Sequence, residues 1–134
     1  MSIETILKIE ETNFDHSIDG YNQNYEGYVI TTTEQEIKVG ISSGQSCCEN
    51  YGYLSTNDEL SEFVGAELIS IEQVDKALNA TKLKDTSVEE SEAMFINFST
   101  SHGFMQLVAY NSHNGYYGHD AVLISKQITQ SVSL

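Results

Sequence analysis

From Glu92 to Tyr110 the chain alternates with a period of two, and this stretch restricts the fold more than any other. Met94, Ile96 and Phe98 alternate with Phe95, Asn97 and Ser99, and Phe104–Tyr110 follows after Ser101-His102-Gly103. Successive side chains of a strand point to opposite faces, so the pattern predicts an antiparallel hairpin. A second hairpin is expected from the β-branched and aromatic run Tyr25–Thr33 and the alternating Glu36–Ser42, joined at Glu34-Gln35. Ile3–Glu11, Glu67–Asp75 and Ala121–Ile128 read as further strands. Thr12–Asn24 carries Asn, Asp, Ser and Gly and reads as a loop pinned by Phe14 and Ile18. Thr56 or Asn57 can cap a short helix holding Leu60, Phe63 and Val64 at i, i+3 and i+4, with Gly65 to end it. Asn79–Glu90 reads as a polar loop, and Thr129–Leu134 as a fraying tail. The expected fold class is α+β, mainly an antiparallel β-sheet of about five to seven strands with one or two short helices. Residues 1–134 are expected to form a single domain.

Charge restricts the partners. Twenty acidic residues face six basic ones, a formal net charge of −14, and all six are lysine. Affinity for nucleic acid rests on Lys and Arg displacing counterions from phosphates, so direct DNA or RNA binding is disfavoured. Without arginine the chain also lacks the bidentate fork that suits phosphates and carboxylates. The complementary surface is a basic one, such as that of a protein that itself handles nucleic acid. Asp58, Glu59 and Glu62, together with Glu89, Glu90 and Glu92, are the expected partner-binding acids. No apolar run approaches the ~18 residues that cross a membrane as a helix. The start Met1-Ser2-Ile3-Glu4 lacks the features of a signal peptide, so an intracellular protein is expected.

Both cysteines and two of the four histidines lie in two distant polar segments. One is Ser46-Cys47-Cys48-Glu49-Asn50-Tyr51-Gly52, and the other is Asn111-Ser112-His113-Asn114-Gly115-Tyr116-Tyr117-Gly118-His119. Adjacent cysteines place their Cα atoms about 3.8 Å apart, below the usual disulfide range of ~4.4–6.8 Å. An irregular loop can instead turn both thiolates to one ion. His113 and His119 flank a turn rich in Asn and Gly, which can bring both imidazoles to one side. Two sulfurs and two nitrogens suit tetrahedral zinc, and the expectation is one Zn2+ held by Cys47, Cys48, His113 and His119. Glu49 is an oxygen ligand or an acceptor for an imidazole N–H. A different reading of the same residues is a Cys/His nucleophilic pair oriented by Asn111 or Asn114. His102 at a hairpin tip and His16 in an acidic loop read as solvated. The chain contains neither a G-x-S-x-G elbow nor a P-loop.

Cys47-Cys48-Glu49 with Gly52, Phe63-Val64-Gly65-Ala66, and Tyr110-Asn111-Ser112-His113-Asn114-Gly115-Tyr116-Tyr117-Gly118 resemble a family of uncharacterised small phage and prophage proteins. The resemblance spans about residues 25 to 125 and implies that the double cysteine and the His-Asn-Gly-Tyr-Tyr-Gly turn form one site. The place of His119 is not always histidine there, so the resemblance leaves the fourth ligand open. In size, charge and origin the chain also resembles acidic, zinc-containing anti-CRISPR proteins of Gram-positive phages. That resemblance implies a non-enzymatic inhibitor in the cytoplasm of an infected bacterium. It would bind a type II CRISPR effector nuclease, whose basic channel holds nucleic acid. The alternatives are a protein that sequesters a nucleotide signal, a small Cys/His enzyme, or an assembly protein of the virion.

Overall fold

The computed structural model describes residues 3–18, 20–42, 50–57, 59–78, 93–112 and 120–134. The nine strands of these residues form two antiparallel sheets. The first has the order β1 (Ile6–Ile18), β2 (Tyr21–Thr32), β3 (Glu36–Ser42), β8 (Asp120–Ile124), β9 (Thr129–Ser133). The second has the order β4 (Asn50–Ser55), β7 (Gly103–Ser112), β6 (Ala93–Thr100), β5 (Leu68–Val74). The alternation that predicts the hairpins sends Ile30, Ile37, Val39, Ile41 and Leu123 of the first sheet into one buried cluster with Met94, Ile96, Phe98, Met105 and Leu107 of the second. Each such side chain contributes about 1.5–3 kcal/mol by leaving water.

The fold is therefore all-β, not α+β, and the strands divide between two sheets instead of one. Helical structure among the described residues is a single 3-10 turn, Leu60–Phe63, whose N-terminal residue Glu59 makes no capping hydrogen bond. The expected caps are used elsewhere. Thr56 Oγ1 donates to Gln106 Oε1 at 2.8 Å, and Asn57 Oδ1 accepts from the Gln106 backbone N–H at 2.8 Å. A helix this short does not repay its nucleation without a cap.

Three other expectations change. Thr12–Asn24 is not a loop: it continues β1 and β2 as a paired ribbon that closes at Ile18 opposite Tyr21. Gly20 follows with φ +80°, the left-handed conformation that tight hairpin turns use. β3 pairs with β2 only over Tyr25–Thr31, so the ribbon runs past its neighbour, and its side chains are mostly polar. At the ribbon's base Phe14 stacks on Tyr25 with ring centroids 5.7 Å apart. The expected tail is strand β9, paired with β8, and Ile128, Val132 and Leu134 pack against the core. β4 was not anticipated; its Tyr51 and Tyr53 reach the core while Gly52 and Leu54 alternate with them.

The outer face of the second sheet is latched by Gln106, which is fully buried. Its Oε1 accepts from Thr56 Oγ1 at 2.8 Å and from the Leu78 N–H at 2.9 Å. Its Nε2 donates to the Lys76 carbonyl at 2.9 Å and to Asn97 Oδ1 at 2.8 Å. The amide thus ties the residues after β5 across β6 and β7. Gln106→Leu keeps much of the volume but strands these partners, at about 1–3 kcal/mol for each group left buried and unpaired. The expected loss is on the order of 3 kcal/mol, or roughly 10 °C in melting temperature. Faster hydrogen exchange at the Leu78 amide would identify the latch as the part released.

Candidate functional site

Two connections cross between the sheets at the same end of the molecule. Residues 43–49 lead from Ser42 of β3 to Asn50 of β4, and residues 113–119 lead from Ser112 of β7 to Asp120 of β8. Their anchors are neighbours in both sheets. In the first, Ile41 pairs with Ala121, and the Asp120 N–H donates to Ser42 Oγ at 3.1 Å. In the second, Asn50 pairs with Ser112 and Tyr51 with Asn111. Cys47, Cys48, Glu49, His113 and His119 lie outside the described residues. The described ends of the two segments that carry them are strand partners.

The surroundings of those anchors are well tied. Gln23 Nε2 donates to Asp120 Oδ2 at 3.1 Å and to the Tyr25 hydroxyl at 3.0 Å, joining the ribbon to the start of β8. Asn111 is buried and donates from Nδ2 to the Leu134 carbonyl at 3.1 Å. That bond places its amide toward the chain end. Tyr110 covers Gly52, where an added Cβ would stand 3.0 Å from the phenol oxygen.

A second feature lies between the edge strand β1 and the 3-10 turn. A groove of about 270 Å³ has apolar walls from Ile9, Leu60 and Val64, with Tyr28 buried beneath them. Glu10, Glu11 and Glu59 also line it. Of the expected partner-binding acids, the structure brings Glu59 into this groove. Glu62 is exposed on the 3-10 turn, and its carbonyl meets His102 Nδ1 at 2.8 Å. Asp58, Glu89, Glu90 and Glu92 lie outside the described residues. Sequence reasoning missed Glu10, Glu11 and Tyr28. Glu10-Glu11 is visible as an acidic pair, but nothing in the linear chain links it to Glu59. His102 is exposed at the tip of the β6–β7 hairpin, as expected; His16 lies on β1 with its ring 6.3 Å from that of Tyr25.

Burial, more than charge, governs Tyr28, Tyr53 and Tyr110. Tyr28 and Tyr53 meet edge to face, with centroids 5.2 Å apart. Burial pushes the Tyr28 hydroxyl well above the ordinary phenol range, with Glu11 and then Tyr53 adding to it. Burial followed by Glu11 and Glu26 raises Tyr53, and burial followed by Glu26 raises Tyr110. The unfolded phenol ionises near pH 10, while the folded one keeps its proton, so stability is intact below about pH 10 and falls above it. Ultraviolet titration of the native protein should show late-ionising tyrosines. Tyr28→Phe should lose less melting temperature than the wild type between about pH 9 and 11.

Residues 3–123 match the sequence model of a family described as Domain of unknown function (DUF7448). No curated protein and no solved structure matches the chain.

Proposed function

The chain belongs to the DUF7448 family, and we propose that it is a non-enzymatic inhibitor that binds a basic, nucleic-acid-handling protein through an acidic surface. The observation that carries this reading is the acid-lined groove, where Glu10, Glu11 and Glu59 gather around apolar walls on a chain of net charge −14. An apolar groove rimmed by one sign of charge suits a protein partner of the opposite sign. A type II CRISPR effector nuclease is the partner to test, because its channel for the guide–target duplex is positively charged.

In the same proposal one Zn2+ joins the two crossovers. Cys47, Cys48 and His113 hold it with His119, and Glu49 is either an oxygen ligand or an acceptor for an imidazole N–H. The pairing of Asn50 with Ser112 and the Ser42–Asp120 hydrogen bond support a shared site, since they anchor both segments side by side in both sheets. The ion would be structural, fixing the two segments against each other.

The functional test is inhibition of DNA cleavage by the purified nuclease. Inhibition should be strongest at low salt and weaken as salt shortens the screening length to about 8 Å at physiological ionic strength. Neutralising Glu89, Glu90 and Glu92 together should slow association and leave melting almost unchanged. Cleavage unaffected at every salt concentration would remove this partner class.

A further inference from the structure

Resting on the reading of an acidic binding surface, we infer that the partner supplies an extended basic segment. It adds as a strand to the outer edge of β1 and lodges a lysine or arginine side chain in the groove beside it. Among the described residues β1 ends its sheet, with β2 on one side only. Its start is occupied: Ile6 N–H donates to the Ala66 carbonyl at 2.9 Å, Gly65 N–H donates to the Ile6 carbonyl at 2.7 Å, and Thr5 bridges Glu67. Beyond Ile6, β1 has no partner strand on its outer edge among the described residues. Such an edge is a template for strand addition, in which main-chain hydrogen bonds give affinity and side-chain pockets give selectivity.

The groove defines the side chain. Its volume of about 270 Å³ is below the ~300–1,000 Å³ typical of small-molecule sites, which fits one inserted side chain. Ile9, Leu60 and Val64 offer apolar contact to an aliphatic stem, and Val64 is 44 % exposed although it is a large apolar residue. Lysine and arginine bury such a stem while keeping the charged head at a polar rim. The rim is acidic. Glu10 already faces Lys8 at 3.1 Å, leaving Glu11 and Glu59 to attract the incoming cation, and Ser61 Oγ orients the Glu59 carboxylate at 2.9 Å. The same charges favour a basic partner over a second copy of this chain. In an antiparallel pair of β1 edges centred on Glu10 and Glu11, like charges of the two copies would face each other, which disfavours that register.

The probe is a blocked peptide of about eight residues alternating lysine with threonine, the usual length of a strand. Its affinity for the full chain is measured by titration calorimetry. The peptide should bind, and Glu11→Gln with Glu59→Gln should weaken it at least ~10-fold with melting unchanged. The same peptide methylated on alternate backbone nitrogens should also bind at least ~10-fold more weakly, since it cannot complete the ladder. Equal binding by the double variant, equal binding of the methylated peptide, or no binding at all would overturn the inference. The nuclease separates the two readings. If it binds the double variant as tightly as the wild type, the groove inference falls, and the acidic-surface reading then rests on the net charge of −14 and the other acidic residues. If the peptide behaves as expected but no nuclease binds, the choice of partner falls and the groove stands.

Discussion

Gly27→Ala should destabilise the protein by on the order of 3–5 kcal/mol, a large share of the ~5–15 kcal/mol that holds an ordinary domain together. Gly27 lies in β2, opposite Gly40 of β3. A Cβ on Gly27 would collide with the Val39 carbonyl oxygen and stand 2.6 Å from the Gly40 Cα. Both are backbone atoms of a paired strand, so no rotamer change relieves the conflict and the two strands must part. Gly40 is constrained as well, with the Phe14 ring 2.9 Å from where its Cβ would be. Gly52→Ala is the control. There the nearest atom is the tip of the Tyr110 side chain at 3.0 Å, which can move. Denaturant unfolding should give a much lower midpoint for Gly27→Ala than for Gly52→Ala, with similar slopes. Equal midpoints would mean that β2 and β3 do not approach as closely as described.

Removing the proposed zinc should have a comparable or larger effect. Binding energy at a structural site is folding energy, with apparent values of about 10–16 kcal/mol in small zinc domains. Here strands already anchor both crossovers, so chelation or Cys48→Ser should lower melting sharply without abolishing the sheets. Thiols and imidazolium groups must lose protons to become ligands, so the bound, folded chain holds fewer protons than the unfolded one. Stability from the ion is therefore present at neutral pH and lost as pH falls through the ligand pKa values. An unchanged melting curve after verified metal removal would rule out a structural role.

The parts of the fold that could be read from the sequence are those where one face of a strand meets the core. Met94, Ile96 and Phe98 alternate because the second sheet faces the first, and Ile37, Val39 and Ile41 answer them. The ribbon of residues 12–18 and 20–24 shows no such alternation, because past β3 no second sheet lies over it among the described residues, and its polar composition imitates a loop. β4 was obscured because Gly52 interrupts it and because Cys-Cys-Glu-Asn before it reads as irregular chain. The short helix was over-read because Thr56 and Asn57 resemble caps, whereas the buried Gln106 claims both. The division into two sheets depends on which hairpins pair across long separations, and local patterning does not encode that. The acidic groove was half legible. Glu59 stood out near a helix start, but only the packing of the 3-10 turn against β1 joins it to Glu11 and Tyr28.

The central claim is that two segments far apart in the chain share one metal ion, and metal content tests it most directly. The protein should be purified without a nickel column and its metals quantified by mass spectrometry, alongside Cys47→Ser, Cys48→Ser and His113→Ala. The account predicts one zinc per chain in the wild type, and weakened or lost zinc whether the substitution lies in the first segment or the second. Wild-type protein without zinc, or full zinc retained when either segment loses its ligands, would contradict it.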